Sequence, residues 1–482
     1  MAKILYLVHS LPPEEHTGTP LFAYGYAQAM AARGHLVTVV YPSPTATSWT
    51  LTPERRPGEA FDRIVAPPTP YAGPFWSIEA ASDGLGANPE SAAAFLEVLT
   101  RVQPDLIHVV NNVNLPLDWP ELAKANGIPV VRSVTCAEDL CGLIAPVSPR
   151  SGQRGYCSPP LTPEHCARCL AAVFADPDSE LGTLAPWIGV GGNGGEDEHR
   201  ALVAKLSRKR ARAAEQYLQV FDRTVFATAA FRRYFEQTIP LDPARVRVIE
   251  MGVASAPPPD PSPDCPALLS DRLPVEEDRA GDGATRPVMF CLAATLDPAK
   301  GIDTVVEAFT DPRLRDRGDY RLCMLGAGNQ NLVAALLDAN PNVIMMGAYR
   351  PDDLPEFLTH MDVGLSTSGF ETFHRVTREY LLAGLPVIGS HAFGIPDIVR
   401  PGKNGLLFDS KDATTLVEAV LSLLDDPEML ATLTEGAGST AVRSPEEEAT
   451  DLDALYQELL AGSDSAHEVA GPRQSFATRS RR

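Results

Sequence analysis

Residues 4–41 read ILYLVHSLPPEEHTGTPLFAYGYAQAMAARGHLVTVVY. The order of signals in this stretch decides the fold. Ile4–Val8 is a short, wholly apolar run of the kind that makes a buried strand. It breaks at His9-Ser10-Leu11-Pro12-Pro13, and a loop with Gly18-Thr19-Pro20 follows. Phe22 to Arg33 is alanine-rich with helical spacing, and Gly34 stops it. Leu36–Tyr41 is rich in β-branched residues and reads as a second strand. Strand, helix and strand in so short a span form a βαβ unit, the opening of a doubly wound parallel sheet.

Outward from this unit the same signals recur. Asp105–Val110 and Pro129–Val134 read as strands with a helical stretch at Leu122–Asn126 between them. Thr224–Ala227 and Val246–Glu250 read as the strands that close a first domain over residues 1–253. A long helix is expected over Ala201–Phe221, with a basic face from Lys205 to Arg212 that should be solvated. Residues from about 136 to 200 break the rhythm with cysteines, prolines and the run Gly189–Gly195, and read as an insertion with little regular structure. Residues 254–287, rich in Pro, Asp and Glu, read as a linker. The alternation restarts over residues 288–462, where Val288–Ala293, Tyr320–Leu325, Val343–Met346, Val363–Ser366, Pro386–Gly389 and Gly405–Phe408 are strand signals. Residues 463–482 form a polar tail expected to be disordered. The fold class is α/β, two facing Rossmann-like domains with parallel sheets whose carboxyl ends meet at an interdomain cleft. Such a cleft suits a ligand with two parts, one for each domain.

Composition narrows the function classes. Apolar residues make up 44% and charged residues 21%, which excludes wholesale disorder. The formal net charge of −21 repels nucleic acid and anionic lipid, so neither is expected as a partner. No apolar run approaches the roughly 18–20 residues of a membrane span, and the N-terminus does not read as a targeting signal. A soluble cytoplasmic protein without integral membrane association is expected. In that reducing compartment the cysteines should be thiols, metal ligands or core residues.

Two stretches in the second half carry chemistry. Leu325-Gly326-Ala327-Gly328-Asn329 follows a strand and opens a helix, where Gly326 and Gly328 would let backbone approach a phosphate or ribose. In Glu371-Thr372-Phe373-His374-Arg375-Val376-Thr377-Arg378-Glu379 the two glutamates stand eight apart. With Glu371 on a loop and a helix starting near Phe373, one carboxylate lies beside a helix N-terminus and the other about two turns along it. The free N–H groups of that terminus suit a diphosphate. A carboxylate at Glu379 can accept from two ribose hydroxyls, and one at Glu371 can face a sugar.

With Leu382-Ala383-Gly384-Leu385-Pro386-Val387-Ile388, Gly394-Ile395-Pro396-Asp397-Ile398-Val399 and Asn404-Gly405-Leu406-Leu407 behind it, this pattern resembles the retaining glycosyltransferases of family 4. Gly18, the run Arg33-Gly34-His35-x-Val37-Thr38-Val39 and the turn Pro298-x-Lys300-Gly301 extend the resemblance to most of residues 1–460. It implies the GT-B fold and transfer of a sugar from a nucleoside-diphosphate sugar, a UDP- or GDP-sugar. It further implies Glu379 on the ribose, Glu371 on the donor sugar, and Lys300 on the diphosphate with backbone around Thr372, Phe373, His374, Arg375 and Val376. Gly18 would let the N-terminal loop approach the phosphates. Glu371, Lys300 and His374 are the candidate catalytic residues.

Three positions depart from the family pattern. Thr295 stands where an Arg is usual, His374 where a Gly is usual, and Thr135-Cys136 where a His is usual. His374-Arg375 would restore positive charge at the phosphates. Asn111, Asn112, Asn114, Glu138 and Asp139 follow strand ends of the first domain and are candidate acceptor contacts. Acidity and the absence of a basic amphipathic N-terminal helix favour a small soluble acceptor over a lipid.

Cys141, Cys157, Cys166 and Cys169 form C-x15-C-x8-C-x2-C. Four thiolates can close a tetrahedral structural zinc site, and some branches of the resembled family carry a similar Cys-rich insertion. An iron–sulfur cluster and plain thiols are the alternatives, with Cys136 a possible alternate ligand. No cofactor is expected for the catalysis itself. Cys291 and Cys323 read as core residues and Cys265 as part of the linker. The reading that results is a retaining glycosyltransferase acting in specialised-metabolite or glycan biosynthesis. Its rivals are a GT-B sugar-nucleotide epimerase and a non-catalytic sugar-nucleotide-binding protein.

Overall fold

The structure is a computed structural model and describes residues 1–15, 18–68, 89–111, 113, 115–141, 156–174, 195–254 and 286–470. The chain divides into two compact units. One takes in the described residues up to Cys141, Ser158–Met251 and the helix from Pro445; the other takes in Gly252–Ser444 together with Tyr156 and Cys157.

The first unit holds a seven-stranded parallel sheet of order β3-β2-β1-β4-β5-β6-β7. Its strands are β1 Lys3–Leu7, β2 Leu36–Pro42, β3 Asp62–Ala66, β4 Leu106–Val109, β5 Val130–Val134, β6 Arg223–Phe226 and β7 Val246–Val248. β1 pairs with β2 on one side and β4 on the other, so the strand order reverses there. Helices Gly18–Ala32, Pro89–Val102 and Trp119–Ala125 connect the strands. Side chains alternate across the sheet, and Ile4, Tyr6, Val37, Val39, Tyr41, Leu106 and Val131 share one core.

That core is completed from the far end of the chain. The helix Pro445–Ala470 brings Ala449, Leu452, Leu455 and Tyr456 into it at helical spacing. The Tyr456 hydroxyl meets the Tyr6 hydroxyl at 3.1 Å and His108 Nδ1 at 2.6 Å, while His108 Nε2 meets Ser133 Oγ at 2.8 Å. Tyr26 donates to Glu448 at 2.6 Å. This corrects the expected second-domain span of 288–462: an apolar helical stripe shows that a helix packs, but not on which core. The helix also runs past residue 462 to Ala470.

The second unit holds a six-stranded parallel sheet of order β10-β9-β8-β11-β12-β13. The strands are β8 Val288–Ala293, β9 Tyr320–Leu325, β10 Val343–Gly347, β11 Val363–Ser366, β12 Val387–Ser390 and β13 Gly405–Phe408. Strand order reverses between β8 and β11, the kind of position where open α/β sheets bind ligands. Both faces are covered: Phe290, Leu292, Leu322 and Met324 point into one core, Met289, Cys291, Cys323 and Leu325 into the other. Cys291 and Cys323 are therefore buried core thiols.

Several local expectations change. β3 was not foreseen. The stretch expected as an insertion with little regular structure contains the helix Pro163–Phe174 and the start of the helix Glu196–Glu215, which runs on into a π-helical turn at Gln216–Val220. Lys209 and Arg210 on that helix are buried, not solvated. Gly189–Gly194, Cys265, most of the expected linker and residues 471–482 lie outside the described residues.

Candidate functional site

The loops after β8 and β11 meet at the order reversal of the second sheet. After β8 the chain makes a tight turn at Pro298–Lys300, capped by Asp297, whose Oδ1 accepts from the Lys300 N–H at 3.0 Å. Gly301 follows at φ +80°, and a Cβ there would lie 2.1 Å from the Thr367 carbonyl oxygen, so only glycine fits. Thr367 Oγ1 donates to the Lys300 carbonyl at 2.8 Å and the Gly369 N–H to the Ala299 carbonyl at 2.9 Å. These bonds lock the lysine turn to the loop that carries Glu371. Lys300 Nζ then reaches Glu371 Oε1 at 2.6 Å. Burial pulls the Lys300 ammonium down, but the Glu371 charge and hydrogen bond outweigh it and hold the lysine above its ordinary value. For Glu371 burial pushes up, and the charge and hydrogen bond of Lys300 oppose it, leaving the carboxyl below its ordinary value.

The helix Arg375–Leu382 begins at His374, as the spacing of the glutamates led us to expect. His374 sits at φ +62°, ψ +79°, a left-handed conformation unusual for a side chain with a Cβ. Its Nδ1 accepts from the Thr377 N–H at 3.3 Å, capping the helix. Nδ1 also lies 2.5 Å from Thr377 Oγ1; a neutral ring that accepts at Nδ1 carries its proton on Nε2, which lies 3.7 Å from Glu371 Oε1. Burial pushes the imidazole down to about 4, with Lys300 and Arg378 adding to the effect and Glu371 opposing it. Burial therefore disfavours the charged ring at neutral pH. This corrects the expectation that it adds positive charge.

Arg375 is cationic, but Glu379 holds it: Arg375 Nε donates to Glu379 Oε1 at 2.8 Å. Burial raises Glu379, and Arg375 opposes that rise. The two carboxylates of the motif are therefore each matched by one cation. Arg378, which sequence reasoning passed over, is buried between them in the chain. Its Nη1 donates to the Phe373 carbonyl at 2.6 Å and the Gly394 carbonyl at 3.1 Å, and its guanidinium lies 3.8 Å from the Phe373 ring centre. Gly394, at φ +80°, comes so close that a Cβ would be 2.3 Å from the Phe373 oxygen. Arg378 fastens the loop after β12 to the start of the Glu379 helix. The spacing of the motif gives no sign of this, because one of its partners, the Gly394 carbonyl, lies on a loop distant in sequence.

Gly326 and Gly328 follow β9 and precede the helix Gln330–Ala339, as expected. Their glycine character has a packing cause. A Cβ on Gly326 would lie 1.8 Å from the Ala294 oxygen, and one on Gly328 2.3 Å from the Leu296 oxygen. In the first unit Gly18 opens the helix Gly18–Ala32, with nothing within 4 Å of the position its Cβ would take.

The candidate acceptor contacts are mostly engaged internally. Glu138 forms a buried ion pair with Arg132, and Asp139 lies 3.5 Å from the same guanidinium and accepts from Tyr217 at 2.7 Å. Asn111 Nδ2 donates to Thr135 Oγ1 at 3.1 Å and Cys136 Sγ at 3.2 Å, and the Cys136 thiol donates to Glu138 at 2.6 Å. Burial raises both Cys136 and Glu138. Asn112 and Asn114 lie outside the described residues.

Cys166 and Cys169 stand one turn apart on the helix Pro163–Phe174. Arg210 donates to Cys166 Sγ at 3.1 Å and to the Leu140 carbonyl at 3.3 Å, and Lys209 Nζ to the Cys141 carbonyl at 3.2 Å. Cys157 groups with the other unit. Among the described residues no group of three or more His, Cys, Asp or Glu side chains is placed to hold a metal ion.

Comparison with known proteins agrees with this architecture. Residues 17–252 match the family model for the glycosyl transferase 4-like domain, and residues 275–439 that for glycosyl transferases group 1. The chain belongs to the family 4-type glycosyltransferases of the GT-B fold. Among curated relatives of this GT-B chain is the D-inositol 3-phosphate glycosyltransferase of Thermobispora bispora, 26% identical over 278 residues, 53% of this chain and 62% of the relative. Another is the GDP-mannose-dependent alpha-(1-6)-phosphatidylinositol monomannoside mannosyltransferase of Mycolicibacterium smegmatis, 30% identical over 188 residues, 36% and 46% of the two chains. Matched stretches cover 28% to 62% of the length of the first five such relatives. Among solved structures, sucrose-phosphate synthase from Thermosynechococcus elongatus superposes with a TM-score of 0.63 at 18% identity, covering 95% of this chain and 99% of the other. Anabaena HepE in complex with UDP and glucose gives 0.59 at 17% identity, covering 95% and 100%. At these identities the structures share the fold.

Proposed function

We propose that the protein transfers a sugar from a UDP- or GDP-sugar to a small soluble acceptor with retention of anomeric configuration. One observation carries this reading: Lys300–Glu371 and Arg375–Glu379 stand as two cation–carboxylate pairs around the start of one helix, beside the strand-order reversal of the second sheet. Two cations and free helix N–H groups suit a diphosphate, and two carboxylates suit the hydroxyls of a ribose and a sugar. GDP-mannose in the names of several relatives and UDP with glucose in the HepE complex support a nucleotide-sugar donor.

In the reaction, the bond between the anomeric carbon and the diphosphate oxygen breaks, and an acceptor oxygen bonds to that carbon from the same face. The acceptor proton passes to the departing phosphate. Lys300, with its ammonium held charged, stabilises the negative charge that develops on the leaving group. Neutral His374 offers an Nε2 proton on the side of Glu371, where the sugar would lie. The first unit would hold the acceptor, with its buried Arg132–Glu138 pair fixing the loop after β5.

The test is incubation of the full chain with UDP- and GDP-sugars and a panel of soluble acceptors, preceded by a thermal-shift screen of the nucleotides. NMR of the product reads its anomeric configuration. Release of an epimer, or binding without turnover, would favour the epimerase or the silent binder; the neutral His374 and Thr295 give the latter its footing. For the cysteines the proposal is one structural zinc, resting on the C-x2-C spacing, with elemental analysis of purified protein and of Cys166→Ser as its test. A cytoplasmic setting is part of the same proposal; the described helices include none long and apolar enough to cross a membrane.

A further inference from the structure

One oxygen of each carboxylate that would grip ribose and sugar accepts from a cation. Each is engaged by the cation that would grip the diphosphate. Glu379 Oε1 accepts from Arg375 Nε at 2.8 Å, and Glu371 Oε1 from Lys300 Nζ at 2.6 Å. Arg375 is the first residue of the Glu379 helix, so its side chain starts at the terminus where the diphosphate would dock, yet it turns back one turn to Glu379. Glu379 is largely buried, with its side chain 16% exposed, whereas the Arg375 side chain is 30% exposed and has room to leave.

On the reading of this site as a nucleotide-sugar pocket, we propose that donor binding is an exchange of partners in which Arg375 is both a competitor and a ligand. It competes with the ribose hydroxyls for Glu379, and on release it pairs with the diphosphate. A diphosphate brings about two negative charges to two cations, and two carboxylates pass to hydroxyl donors. Each charge that leaves its partner is given a new one, which limits the cost of the exchange. A nucleoside without phosphates must break the Arg375–Glu379 pair and offers the arginine nothing in return. The site therefore selects for the diphosphate over the bare nucleoside by more than the phosphate contacts alone supply.

The experiment is calorimetric titration of the full chain and its Arg375→Met variant with UDP, GDP, uridine and guanosine. Removing the competitor should tighten nucleoside binding about twofold to fivefold, the scale of a partly exposed ion pair. Removing the ligand should weaken binding of the matching diphosphate about tenfold or more, the scale of a hydrogen bond to a charged group. Arg375→Lys should recover part of the diphosphate affinity. Opposite movement of nucleoside and diphosphate supports the exchange, because general loosening of the helix would weaken both. If both weaken together, or neither changes, the exchange is wrong while the donor site stands. If wild type binds none of the four, the donor-site reading fails, and the exchange with it.

Discussion

Replacing His374 separates a backbone strain from a side-chain cap. The residue sits at φ +62°, where an L residue with a Cβ carries about 1–2 kcal/mol of steric cost. Its ring nitrogen also accepts from the Thr377 N–H, and loss of a helix cap costs about 0.5–2 kcal/mol. His374→Ala keeps the strain and loses the cap, so it should destabilise by about 1 kcal/mol. His374→Gly loses the same cap but sheds the strain, so it should stay within a few tenths of wild type. The two variants should then differ by about 1 kcal/mol, or about 2–4 °C in the melting of a unit this size. Calorimetric melting of the full chain without ligand reads the difference. Equal melting of the two variants, or a glycine variant less stable than the alanine variant, would refute the balance of strain against capping. The same pair informs the chemistry: both lose the Nε2 proton facing Glu371, so both should lose turnover whatever their stability.

Acid should weaken the fold through buried imidazoles. Burial holds His374 at about 4 and His108 at about 3, against 6.5 for an unfolded histidine, so the unfolded chain binds more protons below that value. Stability should be fully present above pH 6.5, fall as pH drops toward 4, and fall less steeply in His374→Gln; a slope unchanged by that variant would contradict a depressed His374. Tyr456→Phe removes a partner of both His108 and Tyr6 inside a sealed core and should cost about 1–3 kcal/mol in urea denaturation; a neutral effect would mean that network carries no stability. Lys300→Ala should cut turnover at least about a hundredfold, as loss of one preorganised contact to developing charge does, and a variant of near-normal turnover would remove Lys300 from leaving-group stabilisation.

Much of the architecture was legible because buried parallel strands are short apolar runs. Val288–Ala293, Tyr320–Leu325, Val363–Ser366 and Gly405–Phe408 were all read at their observed bounds. β3 was missed because Asp62 and Arg63 break its apolar run at the sheet edge. At the site, Lys300, Glu371 and Glu379 were legible from spacing within a loop and one helix. Which cation answers which carboxylate was not, although Arg375 and Glu379 stand at the four-residue spacing of a helical ion pair. The burial of Lys209 and Arg210 escaped notice because their helix presents a basic run in sequence, and only packing shows that part of it faces inward.

The home of the last helix has a consequence for how the chain is made. Because Ala449, Leu452, Leu455 and Tyr456 complete the core begun by Ile4 and Tyr6, the first unit is built from segments on either side of the second. On the ribosome β1 emerges before Gly252–Ser444, yet its core stays open until translation has passed that span. The second unit, most of it within Gly252–Ser444, can fold while the first still waits with apolar surface uncovered. A premature stop after Ser444 would leave the second unit whole and the first permanently unfinished, with the His108 side chain stripped of Tyr456.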